Sequence, residues 1–152
     1  MGMYDRILVP TDGSDAARAA AEEALALAAE TGAKLLVVYV VDESAGNLFV
    51  SGKSVNDAIE AMSEQGRNAV AEIQSLADAF DGEIDIETDV VRGMHVHDAI
   101  VDYAKAHEAD LVVMGTFGRR GVEHLLGSTT ERVLARSSIP VLSVAVRNSD
   151  DE

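Results

Sequence analysis

Cysteine is absent from the chain, so disulfides and thiolate chemistry are excluded. No apolar run approaches the ~20 residues that a membrane span needs. The N-terminus, Met1-Gly2-Met3-Tyr4-Asp5-Arg6, leads straight into a strand pattern and carries no signal-peptide pattern. Lysine is scarce: Lys34, Lys53 and Lys105 are the whole set, and the other basic residues are arginines. The Gly-x-x-x-x-Gly-Lys-Ser/Thr motif of P-loop NTPases does not occur. These absences point to a cytoplasmic protein without disulfides, membrane spans or a Walker-type nucleotide site.

What is present defines a globular domain. The 152 residues are 47% hydrophobic, enough for a real core in one domain of ordinary size. The formal net charge is −15, from 12 basic and 27 acidic residues. That surplus repels nucleic-acid backbones and anionic membranes. Acidity combined with so few lysines fits a halophilic cytosol, where concentrated salt screens the self-repulsion.

Short apolar runs alternate with helical stripes along the chain. Ile7, Leu8 and Val9 form a buried strand that Pro10 ends. Thr11-Asp12-Gly13-Ser14 reads as a turn, with Ser14 capping the next helix. In that helix Ala17, Ala20, Ala21, Ala24, Leu25 and Ala28 share one face, and Thr31-Gly32 stops it. Leu35 to Val41 is a continuous apolar run, as in a strand buried on both faces. Residues 42–53 read as a loop in which Leu48, Phe49 and Val50 anchor to the body. A helix starts near Ser54, with Asp57 three residues on as a capping box. Val55, Ile59, Met62, Ala69, Ile73 and Leu76 give it a stripe. Ile84, Ile86, Thr88 and Val90 alternate with acidic residues, the pattern of a half-exposed edge strand. A helix from about Val96 to His107 follows. Leu111 to Gly115 is another buried strand, and Ile139 to Val146 the last. The alternation β-α-β-α-β-α-β-α-β means an open, doubly wound parallel sheet of five strands with helices on both faces.

The segment from Leu111 to Thr130 is the most informative. After the strand, Gly115, Gly118 and Gly121 open a loop, and Gly127-Ser128-Thr129-Thr130 starts a helix. Glycines allow backbone N–H groups to approach a phosphate, and a helix start adds unpaired donors and a positive dipole end. Arg119 and Arg120 are candidates to neutralise phosphates or to be solvated loop charges. His95, His97 and His107 are too far apart along one helix to make a metal site, and His124 reads as an exposed polar residue. Met62, Met94 and Met114 read as packing residues.

These motifs resemble the universal stress protein family over nearly the whole chain. The similar pieces are Ile7-Leu8-Val9-Pro10-Thr11-Asp12-Gly13-Ser14, Val37-Val38-Tyr39-Val40-Val41-Asp42, Met114-Gly115-Thr116-Phe117-Gly118 with Gly127-Ser128-Thr129-Thr130-Glu131-Arg132-Val133, and Ile139-Pro140-Val141-Leu142. The resemblance implies an adenine nucleotide alpha hydrolase-like sheet of order 3-2-1-4-5, a domain over residues 1–147 and an acidic polar tail over 148–152. It implies a stress-response regulatory protein, homodimeric through its last strand, that binds ATP and signals through protein contacts. In the ATP-binding branch, positions matching Pro10, Thr11, Asp12 and Val40 line the adenosine pocket. Those matching Met114, Gly115, Gly118, Gly127, Ser128 and Thr129 contact ribose and phosphates. Asp12 has chemistry for ribose hydroxyls and for Mg²⁺. Two features depart from the family pattern. Eight residues, Arg119 to Leu126, separate Gly118 from Gly127, one fewer than the ATP-binding pattern has, and His95 stands where proline is common.

Other classes with this architecture fail on residues. A phosphoacceptor receiver needs an acidic pair after the first strand and a lysine ending the fifth. A flavodoxin needs a hydroxyl-rich loop after the first strand, and adenylate-forming or pyrophosphatase relatives a Ser-Gly-Gly-type loop. None is present. No residue is placed as a general base, so no catalytic residue is assigned. A nucleotide-free homodimer acting by protein contacts and a slow ATP hydrolase are the alternative readings.

Overall fold

A computed structural model describes residues 2–44, 55–116 and 126–146. The elements run β1 (Arg6–Pro10), α1 (Asp15–Thr31), β2 (Lys34–Asp42), α2 (Val55–Ala79), β3 (Ile86–Gly93), α3 (Val96–Ala106), β4 (Leu111–Gly115), α4 (Ser128–Arg136) and β5 (Val141–Val144). All strand pairs are parallel and the order is β3-β2-β1-β4-β5. The expected fold class and strand order are therefore both found. Leu48 to Val50, Ser54, Gly118, Arg119, Arg120, His124 and the tail lie outside the described residues.

Strand alternation sends successive side chains to opposite faces, which makes two cores. On one face Ile7, Val9, Leu35, Val37 and Val113 pack beneath α1 and α2. On the other, Leu8, Leu36, Val38, Val112 and Met114 pack beneath α3 and α4. The buried face of α1 is alanine apart from Leu25, so the helix lies close to the sheet. Ser14 Oγ accepts from Ala17 N–H at 3.1 Å and caps the helix, and Gly32 ends it with φ 75°, the left-handed conformation that favours glycine. The Asp110 carboxylate, just before β4, accepts from the N–H groups of Asp5 and Arg6 at 2.8 and 3.1 Å. It ties the start of β4 to the start of β1.

Several local expectations change. The third strand begins two residues later than Ile84 and runs on to Gly93, paired along its length with β2. The last strand is four residues long, because only Val141–Val144 find partners on β4. Val55 is exposed rather than part of the buried stripe, because it is the first residue of α2. Met94 is 55% exposed and is no packing residue, since it sits in the bend between β3 and α3. Among the described residues, no helix is long and apolar enough to cross a membrane.

Candidate functional site

The central strand β1 is short, and this creates the site. Pro10 ends it, and the Thr11 N–H makes one last bond to Val38 C=O at 2.9 Å. The chain then turns: Asp12 Oδ1 accepts from Ser14 N–H at 2.9 Å, Thr11 Oγ1 accepts from Gly13 N–H at 3.1 Å, and Gly13 has φ 80°. β2 and β4 continue on either side. A notch is left where strand order reverses, the place where open α/β sheets take ligands.

The backbone of β2 faces this notch. In a parallel ladder, alternate residues direct both N–H and C=O to the same neighbour. Leu35 bonds toward the β3 side, through Asp85 C=O, whereas Val38 bonds toward β1. Val40 therefore turns its N–H and C=O to the side that β1 has vacated.

α4 approaches from the opposite end. Its first intrahelical bond runs from Glu131 N–H to Gly127 C=O at 3.0 Å, so the N–H groups of Ser128, Thr129 and Thr130 precede the helical ladder. Gly127 N–H bonds to Thr116 C=O, and the buried Thr130 Oγ1 donates to Gly115 C=O at 2.8 Å. Both contacts hold the start of α4 against the end of β4. Gly127 has φ −66° and ψ 155°, a conformation open to any residue, so its backbone angles do not require glycine.

The result is a cavity of about 490 Å³, within the usual range for small-molecule sites. Nine of the ten residues expected from the sequence line it: Pro10, Thr11, Asp12, Val40, Met114, Gly115, Gly127, Ser128 and Thr129. The tenth, Gly118, lies outside the described residues. Other lining residues were not anticipated. Asp42 extends the β2 wall, Met62 and Gln65 come from α2, and Val96 and Ile100 from α3. Met62 thus lines the cavity instead of serving only as packing. The pairs on α2 and α3 stand three and four residues apart, the spacing of one helix face, but nothing local distinguishes a cavity wall from a core stripe.

Gly115 has a second role. A Cβ there would fall 2.7 Å from the Ala16 backbone carbonyl carbon and oxygen, at the first turn of α1. Glycine at this position is required by helix packing, whatever the cavity holds. The lining carries two carboxylates, Asp12 and Asp42, and no lysine, arginine or histidine among the described residues. No cluster of three or more metal-ligating side chains occurs among the described residues either. His97 is buried, with Nε2 3.5 Å from Asp98 Oδ1, while His107 forms the end of α3 and stacks on Tyr103.

Comparisons with known proteins agree with this geometry. The family model described as "Universal stress protein family" matches residues 3–145. Universal stress protein MJ0531 of Methanocaldococcus jannaschii is 36% identical over 143 residues, covering 93% of this chain and 82% of its own length. The solved structure of protein MJ0577 has a TM-score of 0.81 at 28% identity, over 97% of this chain and 99% of that one. A universal stress protein solved in complex with cAMP has a TM-score of 0.61 at 30% identity, over 93% and 97%. With its strand order, its notch at the switch point and the matched span of sequence, the chain belongs to the universal stress protein family.

Proposed function

We propose that this chain is a stress-response regulatory protein that binds an adenine nucleotide, ATP, in the notch between β1 and β4. The observation that carries the reading is the pairing of two unlike ends in one cavity. At one end, Val40 offers a backbone N–H and C=O side by side, a donor and an acceptor. Adenine presents the complement, with N1 accepting and the 6-amino group donating. At the other end, the N–H groups at the start of α4 and the hydroxyls of Ser128 and Thr129 suit phosphate oxygens. Asp12 lies between, where a carboxylate accepts from ribose hydroxyls. The relative crystallised with cAMP supports an adenine nucleotide as the ligand class.

Mg²⁺ fits the donor set. This ion is held by one or two carboxylates together with phosphate oxygens and water, and Asp12 supplies such a carboxylate. Bound there, Mg²⁺ would offset part of the negative charge that phosphates add to an already acidic lining. No catalytic role is proposed for any residue, and turnover is expected to be slow or undetectable.

Homodimerisation through β5 belongs to the same proposal. β5 is a sheet edge, and its Leu142 is exposed. An uncharged apolar edge strand invites pairing with a second copy. Signalling then proceeds through protein contacts that the nucleotide alters. A nucleotide-free dimer is the competing reading, favoured by the loop one residue shorter than the family's ATP-binding pattern.

Calorimetry with ATP and Mg²⁺ tests the site. Saturable binding is expected, and Asp12→Ala should weaken it by ~1.5–3 kcal/mol through loss of a charged acceptor. No heat and no co-purified nucleotide at millimolar ATP would leave the nucleotide-free dimer as the better account.

A further inference from the structure

We infer that Asp42 selects the base, its carboxylate accepting from the exocyclic amino group of a 6-aminopurine and disfavouring 6-oxopurines. The inference rests on the reading that a purine nucleotide occupies the cavity. Asp42 is the last residue of β2 and lines the same cavity as Val40. Side chains alternate along a strand, so Asp42 continues the row of Leu36, Val38 and Val40 on the α3 face, about 6.5 Å beyond Val40. Chain direction fixes which end of the base it meets. Within Val40 the C=O lies on the Asp42 side of the N–H. A purine with N1 on the N–H and its 6-substituent on the C=O directs that substituent toward Asp42.

A local structural role accounts for only half of the carboxylate. Ser44 N–H and Ser44 Oγ both donate to the same oxygen, Asp42 Oδ1, and close the turn that ends β2. That bonding pins one oxygen and leaves Oδ2 as the acceptor for the cavity. An amino group satisfies it. The 6-oxo group of hypoxanthine or guanine sets a second acceptor against a negative charge, and a site built to hydrogen-bond an N–H group discriminates against the analogue that lacks it.

The pinning makes Asp42→Asn a sharp test. Asparagine keeps a carbonyl oxygen for Ser44 and replaces Oδ2 with an NH₂ donor, so the cavity sees a donor where it saw an acceptor. Titration of the full chain with 5′-AMP and 5′-IMP gives the readout. The wild type should prefer AMP by about tenfold or more, and Asp42→Asn should lower the AMP/IMP ratio severalfold, the Val40 backbone pair keeping the remaining preference. Ser44→Ala loosens the same turn but keeps the carboxylate, and it should keep the AMP preference. An Asp42→Asn ratio equal to that of the wild type overturns the inference. So does loss of the preference in Ser44→Ala, which would assign selection to turn geometry. If the wild type binds neither nucleotide, nor ATP, the nucleotide site itself falls; if it binds both monophosphates equally, the role of Asp42 and the Val40 pairing fall together while a less selective nucleotide site stands.

Discussion

Replacing Gly115 with alanine tests the packing of the site most directly. The added Cβ would lie 2.7 Å from three atoms of Ala16, two of them backbone. Backbone in the first turn of α1 cannot step aside as a flexible side chain would, because Ala16, Ala17 and Ala20 are all buried against the sheet. Gly115 is not among the residues with positive φ, so the cost arises from overpacking and not from backbone angles. Overpacking of this kind costs about 1–3 kcal/mol. Unfolding entropy for a chain of this length is on the order of 0.3 kcal/mol/K, so Tm should fall by roughly 3–9 °C. The strain also reaches the cavity, since the turn carrying Asp12 leads directly into α1 through Ser14. Nucleotide affinity should therefore drop along with stability. Gly32→Ala is the comparison. Gly32 has open space around its missing Cβ but φ +75°, so alanine there should cost ~1 kcal/mol with no change in binding. Circular-dichroism melts at one fixed salt concentration decide the matter. A Gly115→Ala midpoint within about 1 °C of the wild type would refute the packing argument.

The remaining expectations concern charge, assembly, the phosphate end and alkaline pH. With a net charge of −15, the fold should melt higher in molar KCl than in dilute buffer, and an unchanged midpoint would sink the halophilic reading. Light scattering in high salt should give about twice the chain mass, and a charged residue at Leu142 should return it to one. Gly127→Val puts a branched side chain at the N-terminus of α4, so ATP affinity should fall while adenosine affinity changes less; equal ATP binding would remove this residue from the phosphate cradle. Burial, and then the adjacent Asp89 carboxylate that accepts from its hydroxyl at 3.2 Å, push the Tyr103 phenol well above its ordinary range. The folded chain therefore holds this proton while the unfolded chain releases it from about pH 10, so stability should decline above that pH. Tyr103→Phe should lose about 0.5–1.5 kcal/mol at neutral pH and show a shallower alkaline decline. Urea titrations at pH 7 and 10.5 would show the same loss of unfolding free energy in the wild type and Tyr103→Phe if the argument is wrong.

How much was legible beforehand depends on whether the signal was local. Continuous runs such as Leu35 to Val41 mark strands buried on both faces, and the serine cap and glycine stop of α1 are local chemistry. The strand order came from family resemblance, since periodicity alone does not choose among parallel orders. Strand ends were less legible because pairing sets them. β5 stops at Val144 despite the apolar residues Ala145 and Val146 beyond it. Of the cavity lining, the residues on contiguous motifs are legible in the sequence, from Pro10 to Asp12 and from Gly127 to Thr129. Met62, Gln65, Val96 and Ile100 are not, because tertiary packing alone decides whether a helical stripe faces a core or a cavity. For Gly115 the sequence position suggests a ligand, whereas the structure shows a packing requirement against Ala16.

The central place of β1 has a consequence for how the protein is made. β1 takes one neighbour from β2, which follows soon after, but its other edge waits for β4, where Ile7 pairs with Leu111 and Leu8 with Val112. At ~5–20 residues per second, synthesis of the intervening hundred or so residues takes on the order of 5–20 s. Through that interval the nascent β1-α1-β2 unit presents a strand that is apolar from Ile7 to Pro10 with an open edge, the kind of surface that templates aggregation. The last steps of folding must therefore insert β4 beside a strand made first, and the Asp110 carboxylate that grips the N–H groups of Asp5 and Arg6 can close only then. Non-local closure of this sort is slow. A chain truncated before residue 111 should behave as an aggregation-prone fragment, and productive synthesis should depend on how quickly β4 follows or on a chaperone that shields β1 until it arrives.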